Sequence, residues 1–508
     1  ISPYLMAVLG VRTTLILSGV LSAAVLALIL ARSGAVRRPM APALWGAVSF
    51  ACNAASGRVT FALGTLFALG AVAAVWSWPV RWRHRRKLRG ATVALLSALA
   101  TAGSPVAGLF LWVVAAALLL NRRRAMGLAI ALPPPVVVGL SVLLFPFQGV
   151  QPMPLVSVLF PLAAVVGVRW LAPPAWRTVR RSCEVYGLGI LLTWAIPSQV
   201  GSNVERLSLL FGGVALLALV PLVARGTRRF TVLVVAFVVV AGWQIGKPTY
   251  DVIATKPDAA WAHQLAPLVH QLKGVDAERG RVEVVPVRSH REASALMPYV
   301  NLARGWNRQA DTDRNPLFYE EGGLTPTSYH DWLRRWAVRY VVLPTDEDPD
   351  PAARDEARLV RSGLPYLEPV WSDANWRLYR VADPLPLAAP PAQGARAEAG
   401  GLTVKVQHPG AVLVRVPWSP WLGLVDADGS SIKPPRTRSA NRHGCLRPAD
   451  PEPVTKQPAT GEDDDEEPPV DRWTMLQAPH AGTYRIAAPY ELPRGTPCPD
   501  PHTPRTQD

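Results

Sequence analysis

The chain has 508 residues, 50% of them hydrophobic, and a formal net charge of +16, which is a poor description of any single soluble domain. The charge is uneven: residues 1–246 hold 22 Lys and Arg against only Glu184 and Glu205, while the remainder holds 31 basic and 35 acidic residues. Basic loops flanking apolar runs mark cytoplasmic membrane loops. A nucleic-acid partner is therefore excluded, since that reading needs basic residues interleaved with polar and aromatic ones on a soluble surface.

Residues 1–246 read as an α-helical polytopic membrane domain. The chain opens on Ile1, with no initiator Met and no charged leader, and is expected to lack an upstream helix and outer loop. Five basic clusters punctuate it, at 32–38, 81–89, 122–124, 169–181 and 225–229. If all five are cytoplasmic, each interval between them holds an even number of crossings. Three intervals split at polar or Pro/Gly-rich breaks: Cys-Asn-Ala-Ala-Ser-Gly-Arg (52–58), Phe147 to Pro154, and Pro197-Ser-Gln-Val-Gly-Ser-Asn203. As one helix, 90–120 would span about 45 Å, against a hydrocarbon core of roughly 30 Å. Gly103-Ser-Pro105 interrupts it, so two short helices, re-entrant where protein covers their backbone, are expected. The sum is about ten segments, some short, with the C-terminal part extracytoplasmic in a bacterial plasma membrane.

Residues 247–382 read as an extracytoplasmic α/β domain. Helices are expected over 260–273, 290–300, 328–338 and 351–362, with strands at Arg281 to Val287 and Tyr340 to Leu343 and a hairpin over 367–381. Asp383 to Gly400 is Pro/Ala-rich and reads as a linker. A small β-rich domain follows over 401–508, with strands at 402–407, 411–417, 421–426 and 482–487, suited to a sandwich or half-barrel. Within it, 447–471 carries Glu462-Asp-Asp-Asp-Glu-Glu467 and reads as a disordered acidic loop. Consecutive carboxylates lack the spacing of a calcium loop. No metal site or cofactor is assigned, and a divalent metal stays open. Cys445 and Cys498 are either a disulfide, if the tail is outside the cell, or two unpaired thiols.

No nucleophile elbow, phosphate loop, dinucleotide fingerprint or zinc motif is present. The candidates are polar residues at the breaks on the outer side. Charges near hydrocarbon are costly and often functional. Arg58 and Arg206 suit the phosphate of a membrane lipid, and a helix start at Asn203 adds backbone N–H donors. The structural alternative makes Asn203 an N-cap and Glu205–Arg206 an interfacial ion pair. Glu205 is the only carboxylate of the membrane half expected at the outer face, and so the one catalytic candidate there. In the tail, Leu302 to Tyr319 is dense in polar and aromatic residues. Trp306 would stack on a sugar while Arg304, Asn307, Arg308, Gln309 and Asp311 bond its hydroxyls; packing of the aromatics on the domain or at the lipid interface is the alternative.

With its many spans, its outer α/β unit carrying Tyr340-Val-Val-Leu-Pro344 and Trp376-Arg-Leu-Tyr-Arg-Val381, and its β unit carrying Val416-Pro-Trp-Ser-Pro-Trp-Leu422 and Asp426-Ala-Asp-Gly429, the chain resembles GT-C class membrane glycosyltransferases and YfhO-type membrane proteins. Its Ala/Arg/Pro-rich composition is similar to that of actinobacterial proteins. The resemblance implies transfer of sugar from a polyprenyl-phosphate-linked donor to an envelope glycan or protein acceptor at the outer membrane face. It also implies a catalytic carboxylate in the first outer loop, expected before Ile1. A multi-pass transporter and a non-catalytic envelope-assembly scaffold are the other functions the sequence admits.

Overall fold

The computed structural model describes residues 2–499, apart from 83, 147–148, 256–263, 306, 399, 438–440 and 451–471. The chain forms two compact units, Ile1–Thr255 and Lys256–Asp508.

The first unit is helical. Its elements are α1 (Ser2–Leu9), α2 (Val11–Arg32), α3 (Met40–Ala55), α4 (Val59–Trp76), α5 (Arg86–Gly103), α6 (Pro105–Leu120), α7 (Arg124–Ala131), α8 (Pro133–Leu144), α9 (Val156–Leu171), α10 (Arg177–Ala195), α11 (Arg206–Leu219) and α12 (Arg228–Thr255). Among the described residues, five helical stretches are long and apolar enough to cross a membrane: 11–32, 59–76, 124–144, 201–222 and 228–253. The surface is inverted relative to a water-soluble protein. Ile16, Val20, Leu143 and Val238 are 61% exposed or more, whereas Thr14, Ser18, Ser22, Ser97 and Thr101 are buried. Small polar residues inside let helices approach closely and bond neighbouring backbone, as Ser97 Oγ does to the Ile130 carbonyl at 2.9 Å. An apolar exterior over five such helices makes this unit a multi-pass membrane domain.

The 90–120 interval breaks at Ser104, which is extended and followed by Pro105 at the first position of α6. At the other end of the unit, basic side chains close helix ends: Arg89 Nε donates to the Ala74 carbonyl at 2.9 Å, and Arg180 Nη1 to the Ala172 carbonyl at 2.9 Å. Glu184 is held by Arg169 at 2.7 Å and Arg181 at 2.6 Å. Inside the bundle, Gln244 Oε1 accepts from Trp45 Nε1 at 2.7 Å, and its Nε2 donates to the Ser208 and Leu209 carbonyls. A Cβ on Gly213 would lie 2.3 Å from that indole nitrogen, so this crossing of α3, α11 and α12 requires glycine. The membrane half was expected to end at residue 246. Instead α12 runs on through Pro248 to Thr255, because Lys247 and Asp251 stand one turn apart and pair.

The second unit holds an α/β layer and a β-sandwich. The layer comprises α13 (Ala266–Gly274), β1 (Arg281–Val284), α14 (Arg291–Leu296), α15 (Arg308–Arg314), α16 (Pro326–Arg335), β2 (Val338–Pro344), α17 (Arg354–Arg361), β3 (Leu367–Ser372) and β4 (Trp376–Val381). Its sheet order is β1-β2-β4-β3, with β1 and β2 parallel and the other pairs antiparallel. Alternation along β2 sends Tyr340 and Val342 to the face covered by α13 and α14, and Val341 and Leu343 to the face covered by α16 and α17.

The sandwich pairs a sheet of order β5-β6-β11-β8 with one of order β7-β10-β9, built from β5 (Ala392–Glu398), β6 (Gly401–Val406), β7 (Gly410–Pro417), β8 (Gly423–Val425), β9 (Cys445–Pro448), β10 (Trp473–Ala478) and β11 (Gly482–Ala487). Val404 and Ile486 meet Val412, Val414 and Leu476 between the sheets. Cys445 and Cys498 are joined in a disulfide, with Cα atoms 4.8 Å apart. Two expectations are corrected here. The 383–400 linker contains β5, an edge strand on β6, and Leu387 and Ala388 are buried in the sandwich core. An edge strand open on one side needs no apolar alternation, which hid it in the sequence. The loop expected from 447 starts later, because Arg447 and Pro448 pair with β10 and Ala449 is buried; the acidic run 462–467 lies outside the described residues. The sandwich docks on the α/β layer through Trp336 and Trp473, edge to face at 5.2 Å, and through Arg281, which donates to the Trp336 and Arg415 carbonyls.

Candidate functional site

Arg58, at the end of the 52–58 break, and Glu205 and Arg206, just after the 197–203 break, meet the end of α12 in a charged cluster of the helical unit. Gly201 has φ +44° and packs so tightly on the 149–154 break that a Cβ would lie 2.0 Å from the Gln151 carbonyl oxygen. The Tyr186 hydroxyl donates to the Val204 carbonyl at 2.6 Å and accepts from Ser208 N–H at 3.4 Å. The 3-10 turn Gly201–Glu205, which delivers Glu205 and Arg206, is thus fixed on two sides. Arg58, at the start of α4, donates from Nη2 to Asp251 Oδ2 at 2.9 Å, and Lys247 pairs with Asp251 Oδ1. Glu205 is 5% exposed, with Arg58, Lys247 and Asp251 as its charged neighbours and the Ser157 hydroxyl as hydrogen-bond partner. The Arg206 guanidinium lies over the Phe61 ring at 5.2 Å. Among the described residues, no carboxylate stands within 4 Å of it.

This geometry departs from the structural alternative. Asn203 does not cap α11, whose N-cap is Glu205 without a side-chain bond, and Glu205 and Arg206 do not pair. Glu205 is also joined by a second carboxylate, Asp251, which the charge break had assigned to the tail. The signal available was the Lys247–Asp251 spacing of four on an apolar helix. Gly201→Ala is expected to destabilise the unit by about 2 kcal/mol or more, through a left-handed φ and a backbone clash. Gly189→Ala, in open space on α10, is the control. Thermal unfolding in detergent checks the pair, and equal midpoints would contradict the account.

The 304–311 segment of the second unit is largely engaged within the fold. The Arg304 side chain is 5% exposed. Its Nε and Nη2 bond Glu283 Oε1 at 2.9 and 2.6 Å, Nη2 also bonds Glu356, and Nη1 stands 3.6 Å from Asp311. Its guanidinium carbon sits 3.6 Å above the Phe318 ring. Burial pushes the Glu283 and Glu356 carboxyls up, against the pull of Arg304; burial opposes the charge on Arg304, but the three carboxylates hold it well above the ordinary value. Asp311 accepts from Asn315 and Tyr319 at 2.8 and 2.7 Å, and Asn307 caps α15 through Ala310 N–H at 3.3 Å. Gln309 Nε2 is buried with no acceptor among the described residues. Arg308 is exposed and bonds Asp350 at 2.5 Å. Trp306 lies outside the described residues.

Beside this network, His290 stands between two carboxylates, Nε2 3.2 Å from Asp350 and Nδ1 3.6 Å from Glu292. Burial disfavours its charge, but bonds to Asp350 and Glu292 outweigh that and raise it to about 8. Asp350 is lowered to about 2: burial opposes its charge, and His290 and the Ala352 N–H outweigh it. A His pKa raised on folding contributes stability in full below the unfolded value of about 6.5, lost as pH rises through about 8. The second unit is therefore expected to lose about 1–2 kcal/mol between pH 6 and 9. Denaturation of wild type and His290→Gln at both pH values checks this; equal pH dependence would remove His290 as the source.

The chain matches a family model described as a domain of unknown function (DUF8823) over residues 389–503, which is the sandwich. No curated protein matches it. A solved structure that it resembles is arabinofuranosyltransferase AftD from Mycobacteria, at 17% identity and a TM-score of 0.34, over 75% of this chain and 35% of that one. The chain thus spans about a third of the length of that enzyme.

Proposed function

We propose that this chain is the membrane and extracytoplasmic part of a GT-C-like glycosyltransferase. It uses a polyprenyl-phosphate-linked sugar at the outer membrane face in bacterial envelope assembly. The supporting observation is the cluster at the end of the helical unit. Three cations, Arg58, Arg206 and Lys247, face two carboxylates, Glu205 and Asp251, and leave an excess positive charge. Asp251 occupies Arg58 and Lys247, so Arg206 is the cation placed to bond a lipid phosphate. In transfer, an acceptor hydroxyl attacks the anomeric carbon and loses its proton to a carboxylate. The bond from that carbon to the phosphate oxygen breaks, and the departing lipid phosphate carries the charge that Arg206 stabilises.

The test is transfer from labelled polyprenyl-phosphate sugar by the full-length protein. Arg206→Ala is expected to lower transfer at least about tenfold, as loss of a charge-assisted bond implies. Unchanged transfer would remove Arg206 from the site. Absence of transfer from every polyprenyl-phosphate sugar would sink the enzymatic reading and favour a transporter or scaffold.

A further inference from the structure

A cleft opens at the carboxyl ends of the parallel strands β1 and β2, lined by Val284, His290, Glu292, Arg308, Tyr319 and Asp350. Open α/β sheets hold their ligands outside such strand ends. The loop after β1 is fixed, because Glu347 accepts from the Ser289 N–H at 2.6 Å and from its hydroxyl at 2.9 Å. His290 has a carboxylate at each ring nitrogen, so neither is left to act as a base. Glu292 differs from its neighbours. It is 4% exposed, yet its Oε2 has no hydrogen-bond donor among the described residues. A buried carboxylate oxygen without a donor is costly and asks for one. The charges of the wall balance, three cations (His290, Arg304, Arg308) against three carboxylates (Glu292, Asp311, Asp350), so no ionic ligand is called for.

We propose that this cleft binds a neutral polyhydroxylated ligand, a saccharide, through one hydroxyl donating to Glu292 Oε2 and one oxygen accepting from the exposed Arg308 guanidinium. An acceptor-only carboxylate and a donor-only guanidinium lining one cleft suit a polyol, whose hydroxyls each donate and accept. Glu292 lies on α14, outside the polar segment that the sequence singles out. The site goes beyond the transferase reading and does not depend on it, since it uses no residue of the Arg206 cluster.

The test passes full-length protein in lipid nanodiscs over an array of neutral, amino and acidic saccharides. Neutral saccharides are expected to retain the wild type. Glu292→Leu and Arg308→Ala should each weaken retention about tenfold or more. Glu292→Gln, which keeps a carbonyl acceptor, should lose less, and Arg354→Ala, outside the cleft, should lose nothing. If Glu292→Leu does not fold, Arg308→Ala decides. Retention by acidic saccharides alone, by none, or unchanged in Arg308→Ala, overturns the proposal. Loss of saccharide binding with transfer intact, or the reverse, separates it from the transferase reading.

Discussion

Replacing Arg304 with methionine is expected to destabilise the second unit by about 3–5 kcal/mol, because removing one partner of a buried ion network strands the others. Glu283 and Glu356 are fully buried and meet at this guanidinium. Tyr329 adds a hydrogen bond to Glu356 at 3.0 Å, and Trp332 bonds Asn315 at 2.9 Å, so the network ties β1, α16 and α17 to the 302–319 segment. Methionine keeps volume and packing on Phe318 but leaves excess negative charge without a counter-ion. The carboxyls would take up protons, and the loss should be smaller at pH 5 than at pH 8. Arg308→Ala removes an exposed guanidinium from a buried Asp350 that keeps His290 and the Ala352 N–H, and should cost less, about 1 kcal/mol. Denaturant unfolding followed through tryptophan fluorescence measures both. An Arg304→Met protein as stable as the wild type would show that the network does not hold the layer together.

Cys445→Ser is expected to cost the sandwich about 4 kcal/mol, from loop-closure entropy over a separation of 53 residues. The bridge joins β9 to the 496–498 segment, which also bonds through Thr496 and Cys498 to the Leu446 backbone. Loss of the bridge should therefore loosen that segment from the sheet first. Reducing agent should lower the unfolding midpoint of the wild type and leave Cys445→Ser unmoved. No shift in either protein would show that the segment is held by its hydrogen bonds alone.

Local pattern carried much of the architecture into the sequence. Polar breaks and Pro105 marked helix ends because a chain in hydrocarbon must turn where its backbone can be solvated or covered. Apolar runs marked β2 and β6 because both pack on two sides or face a core. What stayed hidden had a different physical origin. β5 is an edge strand whose Ala, Gln and Arg side chains carry no period. Asp251 was hidden by the charge break itself, since helix α12 continues past the apolar run and folds its first acidic residue back onto Arg58. Polar density at 304–311 was legible, but not that Arg304 faces inward, because its partners Glu283 and Glu356 are distant in sequence and meet only in the fold. Glu292 gave no signal at all: one carboxylate among many, distinguished only by a buried oxygen without a donor.

In the proposed site, Arg206 of the Arg58–Arg206–Lys247 cluster holds the lipid phosphate. Native mass spectrometry of the full-length protein with polyprenyl phosphate and with the uncharged polyprenol tests it most directly. The phosphate is expected to be retained and the alcohol not, with retention about tenfold or more weaker in Arg206→Ala. Equal retention of phosphate and alcohol, or of phosphate by wild type and Arg206→Ala, would contradict it.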